Sequence, residues 1–229
     1  MAKITTTLIR RLQARTGADA ADCRRALQSS DGDLEQAATL LFRSSLSTTL
    51  RNQFLVAMPS LQDDPFSHTV SLVCEHNDNG AIGLVINRPT DLALAAMLQQ
   101  LGIAHEAVDE SAVVLWGGPV QPERGFVVHG PPGGWESSMQ FDDELFVTTS
   151  RDVLAAIGRG EGPREFFVAL GYAGWEAGQL ENEIRLNTWL NTPVDRGVLF
   201  ATATSGRWQA ATRLLGVDVT QLTDAVGHA

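Results

Sequence analysis

The sequence predicts an α+β protein in two parts. A small three-helix bundle occupies residues 1–45, a linker covers 46–51, and a larger unit with a mixed sheet and packed helices fills 52–229. Three observations carry this expectation. Apolar residues recur at helical spacing up to Phe42, then give way to short strand-like runs separated by turn residues. Hairpin signals and separated helical segments alternate through the second part, as in sheets with helices laid on them. The charge is also uneven. Lys3, Arg10, Arg11, Arg15, Arg24, Arg25 and Arg43 stand against Asp19, Asp22, Asp31, Asp33 and Glu35 in residues 1–45. That is +2 for the first part, which leaves -12 of the chain's net -10 for the rest.

In the first part, Ile4, Leu8 and Leu12 share a helical face. Gly17 can take the left-handed conformation that ends a helix. Asp19 then offers an N-cap, with Asp22 in the first turn. Cys23, Ala26 and Leu27 form the second apolar face, and Ser29–Gly32 breaks that helix. Leu34, Ala37, Ala38, Leu41 and Phe42 complete a third.

In the second part, Phe54–Met58 ended by Pro59 predicts a buried strand. His68–Glu75 and Ala81–Ile86 predict a hairpin around Asn77-Asp78-Asn79-Gly80, because Asn-Gly tolerates positive φ. Leu92–Leu101 reads as a helix, Val113–Trp116 as a buried strand and Gly125–His129 as a short one. Gln140–Thr149 reads as a hairpin near Asp142-Asp143. Ser150 can cap a helix over Arg151–Ile157. Phe166–Leu170 predicts a strand, Trp175–Asn187 a helix, Val198–Phe200 a last strand and Trp208–Leu215 a last helix.

Several function classes are argued against by composition. A pI near 4.9 opposes direct binding of nucleic acid or anionic lipid. The two cysteines, Cys23 and Cys74, form neither a zinc site nor a disulfide framework, which fits a reducing, cytoplasmic setting. Arg10 and Arg11 interrupt the apolar residues a signal peptide would need. No run approaches the roughly 20 apolar residues of a membrane helix.

Two stretches resemble known families. Thr16-Gly17-Ala18, Asp22-Cys23-Arg24-Arg25-Ala26-Leu27, Gly32-Asp33 and Ala37 closely resemble the N-terminal module of elongation factor Ts. That resemblance implies a ubiquitin-associated-like bundle that docks on elongation factor Tu, with Arg24 and Arg25 as partner-binding residues where the family has paired lysines. The family's nucleotide-exchange motif is not present, so docking is the implied role; a solubilising appendage is the plainer alternative. From residue 52 on, Phe54–Pro59, Cys74-Glu75-His76-Asn77, Gly80–Gly83, Asn87-Arg88-Pro89, Gly117-Gly118-Pro119-Val120, Arg124-Gly125-Phe126, His129, Thr148–Leu154, Leu170–Glu181 and Gly227-His228-Ala229 resemble the YqgE/AlgH family. This implies a partly barrel-like sheet, a cytoplasmic location and a link to transcriptional regulation. It brings neither a settled reaction nor a settled ligand, and the chain is expected to hold no cofactor and no metal.

Residue by residue, chemistry and packing compete. On a strand Cys74 and His76 would share a face, as a thiolate pair or two metal ligands; otherwise Cys74 is core and His76 begins the turn. Arg124 and His129, with Gly117 and Gly118 nearby, could form an anion site; otherwise the glycines allow tight turns and Arg124 pairs with a carboxylate. His76, Arg124 and His129 are thus the candidate catalytic residues of an enzyme acting on an anionic small molecule. Glu176 and Glu183 would share a helical face as paired carboxylates, or form a solvated face on which Glu181 pairs with Arg185. Ser150 reads as a cap rather than a nucleophile. Tyr172, Trp175, Trp116 and Phe126 beside glycines suggest either core packing or the walls of a groove. The leading expectation is a non-enzymatic binding or regulatory protein whose groove uses Asn87, Gly117, Gly118, Arg124, Tyr172 and Trp175. Its ligand would be a small anion or a peptide.

Overall fold

The computed structural model describes residues 4–16, 20–38, 49–61, 65–141 and 143–216. Two compact units emerge, Met1–Thr49 and Leu50–Ala229.

The first unit holds α1 (Thr6–Thr16), α2 (Ala20–Ser29) and a helix α3 whose described residues are 34–38. Apolar residues at spacings of three and four put Ile9, Leu12, Cys23, Ala26, Leu27 and Ala37 into one buried cluster. Asp33 caps α3, its Oδ1 accepting from the amides of Glu35 at 2.8 Å and Gln36 at 3.0 Å. Arg15 reaches Glu35 through two hydrogen bonds of 2.6 and 2.9 Å. Both side chains are well exposed, so this pair fixes geometry more than it adds stability. The expected Gly17 stop and the Asp19 cap lie outside the described residues, as do Leu41, Phe42 and linker residues 46–48.

The second unit is built on one curled sheet of ten strands. In chain order they are β1 (Gln53–Ala57), β2 (Val70–Asn77), β3 (Gly80–Val85), β4 (Pro89–Ala93), β5 (Val113–Trp116), β6 (Val120–His129), β7 (Ser138–Gln140), β8 (Phe146–Thr148), β9 (Phe166–Glu176) and β10 (Trp189–Pro193). The hydrogen-bonded order is β10-β1-β2-β3-β9-β6-β8-β7, with β5 joining β9 in parallel and β4 joining β5. All the other pairs are antiparallel, which makes the sheet mixed. Strand β9 is the spine. Its first half pairs with β5 and β6, and its second half pairs with β3 over Ala173–Glu176. Between the halves stands Gly171 at φ 72.

Alternation of side chains along the strands gives the sheet two apolar faces. Phe54, Val56, Leu72, Phe126, Val128, Phe167 and Ala169 enter one core. It is closed by the π-helical turn Gly197–Ala201 and helix α7 (Arg207–Leu214), which contribute Val198, Leu199 and Ala211. The opposite face is covered in two places. Helix α6 (Gln179–Arg185) puts Leu180 against Leu55, Val73 and Trp189. Helices α4 (Leu94–Gln100) and α5 (Arg151–Gly158) put Leu94, Leu98, Val153 and Ile157 against Val114, Val127 and Val168. Among the described residues no helix is long and apolar enough to cross a membrane.

Four local expectations need correction. Trp175 is in β9, and the helix expected from it begins only at Gln179, because β3 pairs β9 as far as Glu176. The strand expected at Val198–Phe200 is the π-helical turn, where the amides of Val198 and Leu199 bond back to Asp195. Ser150 stands at the N-cap of α5 but makes no capping bond; its hydroxyl donates to Asp152 Oδ1 at 2.5 Å and accepts from the Ser137 amide at 3.1 Å. Strands β4 and β10 are present where no strand was expected.

Candidate functional site

The residues singled out from sequence do not gather in one place. His76 is a clamp. Its Nδ1 accepts from the Leu50 amide at 3.0 Å, which leaves Nε2 to donate to Glu181 at 3.1 Å. Glu181 therefore meets His76, not Arg185. Cys74 does not share a face with His76. The β2–β3 register shifts between Val73 and Glu75, and this bulge at Cys74 breaks the period of two. Cys74 enters the inner core, while His76 meets α6. Burial pushes the Cys74 thiol up to about 12, outweighing the opposing effect of Arg51, so it stays a protonated thiol near neutral pH. The suggested Cys–His pair is thereby excluded.

His129 is fully buried against Phe146, its ring stacked at 5.5 Å. Nδ1 donates to the Gly130 carbonyl at 2.7 Å, and Nε2 accepts from the Thr148 hydroxyl at 2.8 Å. Thr148 in turn accepts from Ser138 at 2.6 Å. Burial holds the imidazole below its ordinary value and favours the neutral ring. Both nitrogens are occupied, and Arg124 stands an odd number of residues away along β6. The structure does not bring His76, Arg124 and His129 together.

Asn87 and the glycines belong to the fold. Asn87 Oδ1 accepts from the Val70 amide and Nδ2 donates to the His68 carbonyl, both at 2.9 Å, which pins the end of β3 to the start of β2. A Cβ at Gly117 would lie 2.3 Å from the Gly171 carbonyl oxygen. One at Gly118 would lie 2.1 Å from the Tyr172 carbonyl carbon. These two glycines let the β5–β6 connection pass backbone to backbone over β9. Trp175 is buried, and its indole donates to Glu183 Oε2 at 2.8 Å. Trp189 donates to the same oxygen at 2.8 Å. Glu183 is thus a double acceptor under α6, and Glu176, at the end of β9, is not its helical neighbour.

Arg124 and Tyr172 do meet. They line a pocket of about 170 Å³ with Cys74, Glu75, Ile82 and Phe126. The Phe126 and Tyr172 rings stand edge to face at 6.0 Å, and the Arg124 guanidinium lies over Phe126 at 5.3 Å. Arg124 is exposed, bonds only Gln121 Oε1 at 3.4 Å, and has no carboxylate partner among the described residues. The Tyr172 hydroxyl makes no hydrogen bond to a described residue. Glu75 lines the same pocket with its carboxylate engaged by Asn77 Nδ2 at 2.7 Å. A cation and a phenol above an aromatic floor can hold an anionic head with an apolar body. Sequence reasoning missed Cys74, Ile82 and Glu75 as lining residues: Cys74 follows Val70 and Leu72 into the core that holds Phe126, and the bulge after Val73 sets Glu75 opposite Ile82. Among the described residues no cluster of three metal-ligating side chains occurs. Arg24 and Arg25 are exposed on α2.

Comparison with known proteins covers both units. The AlgH-like family pattern matches residues 54–220, and a UBA-like domain pattern matches residues 5–47. A UPF0301 protein of Thioalkalivibrio sulfidiphilus is 52% identical over 80% of this chain and 98% of its own length. A UPF0301 protein of Xanthomonas axonopodis pv. citri is 51% identical over 81% of this chain and 100% of its own length. The solution structure of the AlgH protein from Pseudomonas aeruginosa is 46% identical, with a TM-score of 0.65, over 80% of this chain and 97% of that one. A crystal structure of a Corynebacterium diphtheriae protein, 20% identical with a TM-score of 0.62, shares the fold.

Proposed function

The chain belongs to the AlgH-like family, and on that premise we propose that its larger unit is a non-enzymatic binding and regulatory module that holds a small organic carboxylate against Arg124. One observation carries this reading. Arg124 overhangs an apolar, aromatic-floored pocket without a carboxylate partner among the described residues, while the side chains that could do chemistry are engaged elsewhere or protonated. An enzyme working through His76, Arg124 and His129 has no support from that geometry. Occupancy of the pocket would be passed to a regulatory partner, with control of transcription as the setting that the family resemblance offers.

The test is an NMR titration of the full chain with benzoate and, separately, inorganic phosphate. Benzoate should shift the signals of Phe126, Ile82 and Tyr172 and should bind Arg124→Gln at least tenfold more weakly. Absence of those shifts, or undiminished affinity in Arg124→Gln, refutes the reading.

A second reading concerns the first unit and rests on its UBA-like match. It docks a protein partner through the α2 surface that carries Arg24 and Arg25, elongation factor Tu being the partner its resemblance to elongation factor Ts suggests. Co-purification with the full chain should fall when both arginines are changed to alanine. Equal recovery would end this reading.

A further inference from the structure

Strand β6 carries a glycine that the fold does not require. Gly125 lies inside the strand, where the lack of a side chain weakens pairing. A Cβ there would meet nothing nearer than Leu170 Cδ2 at 3.9 Å. Its φ is not left-handed; at the irregularity between Val120 and Gly125 that conformation belongs to Gln121, at φ 46. Gly117, Gly118 and Gly171, by contrast, are each held by a backbone contact of 2.3 Å or less.

Beside Gly125 is a second crevice, of about 370 Å³, within the range of small-molecule sites. It lies across β6 from the Arg124 pocket, since Glu123, Gly125 and Val127 line it while Arg124 and Phe126 line the other. Its apolar walls are aliphatic throughout: Met97 and Leu101 from the α4 side, Leu154 from α5, Val127 and Val168 from the sheet. Leu101 remains 41% exposed. Arg151 lines the same crevice at the first position of α5 and donates to the Leu101 carbonyl. It has no carboxylate partner among the described residues. The guanidinium favours an anion there; Glu123 is the one acidic side chain on the lining, and the Asp152 carboxylate beside Arg151 is already engaged by the Val153 amide and the Ser150 hydroxyl.

We propose that this crevice binds a medium-chain aliphatic carboxylate, its chain lying over Gly125 and its head on Arg151. The missing side chain of Gly125 is then room kept for the ligand, at a cost to the strand.

The test is to titrate the full chain with sodium octanoate, 1-octanol and octylammonium chloride by NMR. Octanoate should give intermolecular NOEs to the Met97 methyl and bind at least tenfold more tightly than octylammonium. Gly125→Val should weaken octanoate at least tenfold while melting no lower than the parent, and Arg151→Gln should weaken octanoate but not octanol. Arg124→Gln should leave the octanoate titration read at the Met97 methyl unchanged, which separates this site from the one across the strand. Octanoate without a Met97 contact, full affinity in Gly125→Val, or equal binding of octylammonium would overturn the proposal. If Gly125→Val melts early, the Met97 NOE in the parent decides.

Discussion

Removing the Glu183 carboxylate should be among the most damaging single changes in the second unit. Its Oε2 accepts from the indoles of Trp175 and Trp189, both at 2.8 Å, and Oε1 accepts from Gln179 Nε2 at 2.9 Å. The two tryptophans are 7% and 3% exposed. In Glu183→Leu both indole N–H groups lose their acceptor, at about 1–3 kcal/mol each. The expected loss is therefore roughly 2–5 kcal/mol, after allowing for the relief of a half-buried charge. For a unit of this size that is a drop in Tm of roughly 5–15 °C. Glu183→Gln keeps an acceptor without the charge and should lose less than half as much. All five tryptophans lie in the second unit, so tryptophan fluorescence during thermal or urea unfolding reports that unit alone. A Glu183→Leu protein within about 1 kcal/mol of the parent would mean that water satisfies the indoles, and the clamp would have to be abandoned.

The other predictions concern backbone contact and titration. Gly118→Ala should cost about 3 kcal/mol or more in chemical denaturation, because its Cβ would stand 2.1 Å from the Tyr172 backbone. Gly174→Ala, whose nearest contact would be 3.6 Å, should cost under about 1 kcal/mol and serves as the control. His129 should make stability pH-dependent. Its folded pKa lies below the ordinary 6.5 through burial, so the unfolded chain takes up the proton first. Stability is then full above 6.5 and declines as acid is added through and below that value. His129→Gln should flatten this part of the urea midpoint-against-pH curve, and an unchanged slope would remove His129 as its source.

Much of the larger fold was legible because its signals are local. The Asn77–Gly80 turn fixes the β2–β3 hairpin, and the apolar runs at Phe54, Val113 and Phe166 mark buried strands. What escaped was set by distant partners. Trp175 begins a stretch with helical spacing, but pairing with Ala81 holds it extended. Trp189–Pro193 has no strong strand pattern of its own and becomes β10 only by lining up with β1. The site was half readable. Arg124 and Tyr172 belong to separate motifs that β6 and β9 bring together. His76 left the face of Cys74 only through a bulge, which no periodicity announces. The glycines at 117 and 118 looked like lining for a ligand, but they accommodate another stretch of the same chain.

The pairing of Gln53 with Pro193 has a bearing on how the chain is made. Strand β1 is made before every other strand, yet one of its two neighbours, β10, is the last strand of the sheet to be made. Until then its edge stays open, and closing so long a loop slows folding and leaves sticky backbone exposed. Among the described residues, the buried cluster of the leading helices runs from Ile9 to Ala37, all of it sequence made before β1. A nascent chain thus holds the whole sequence of that cluster while its sheet still lacks a strand.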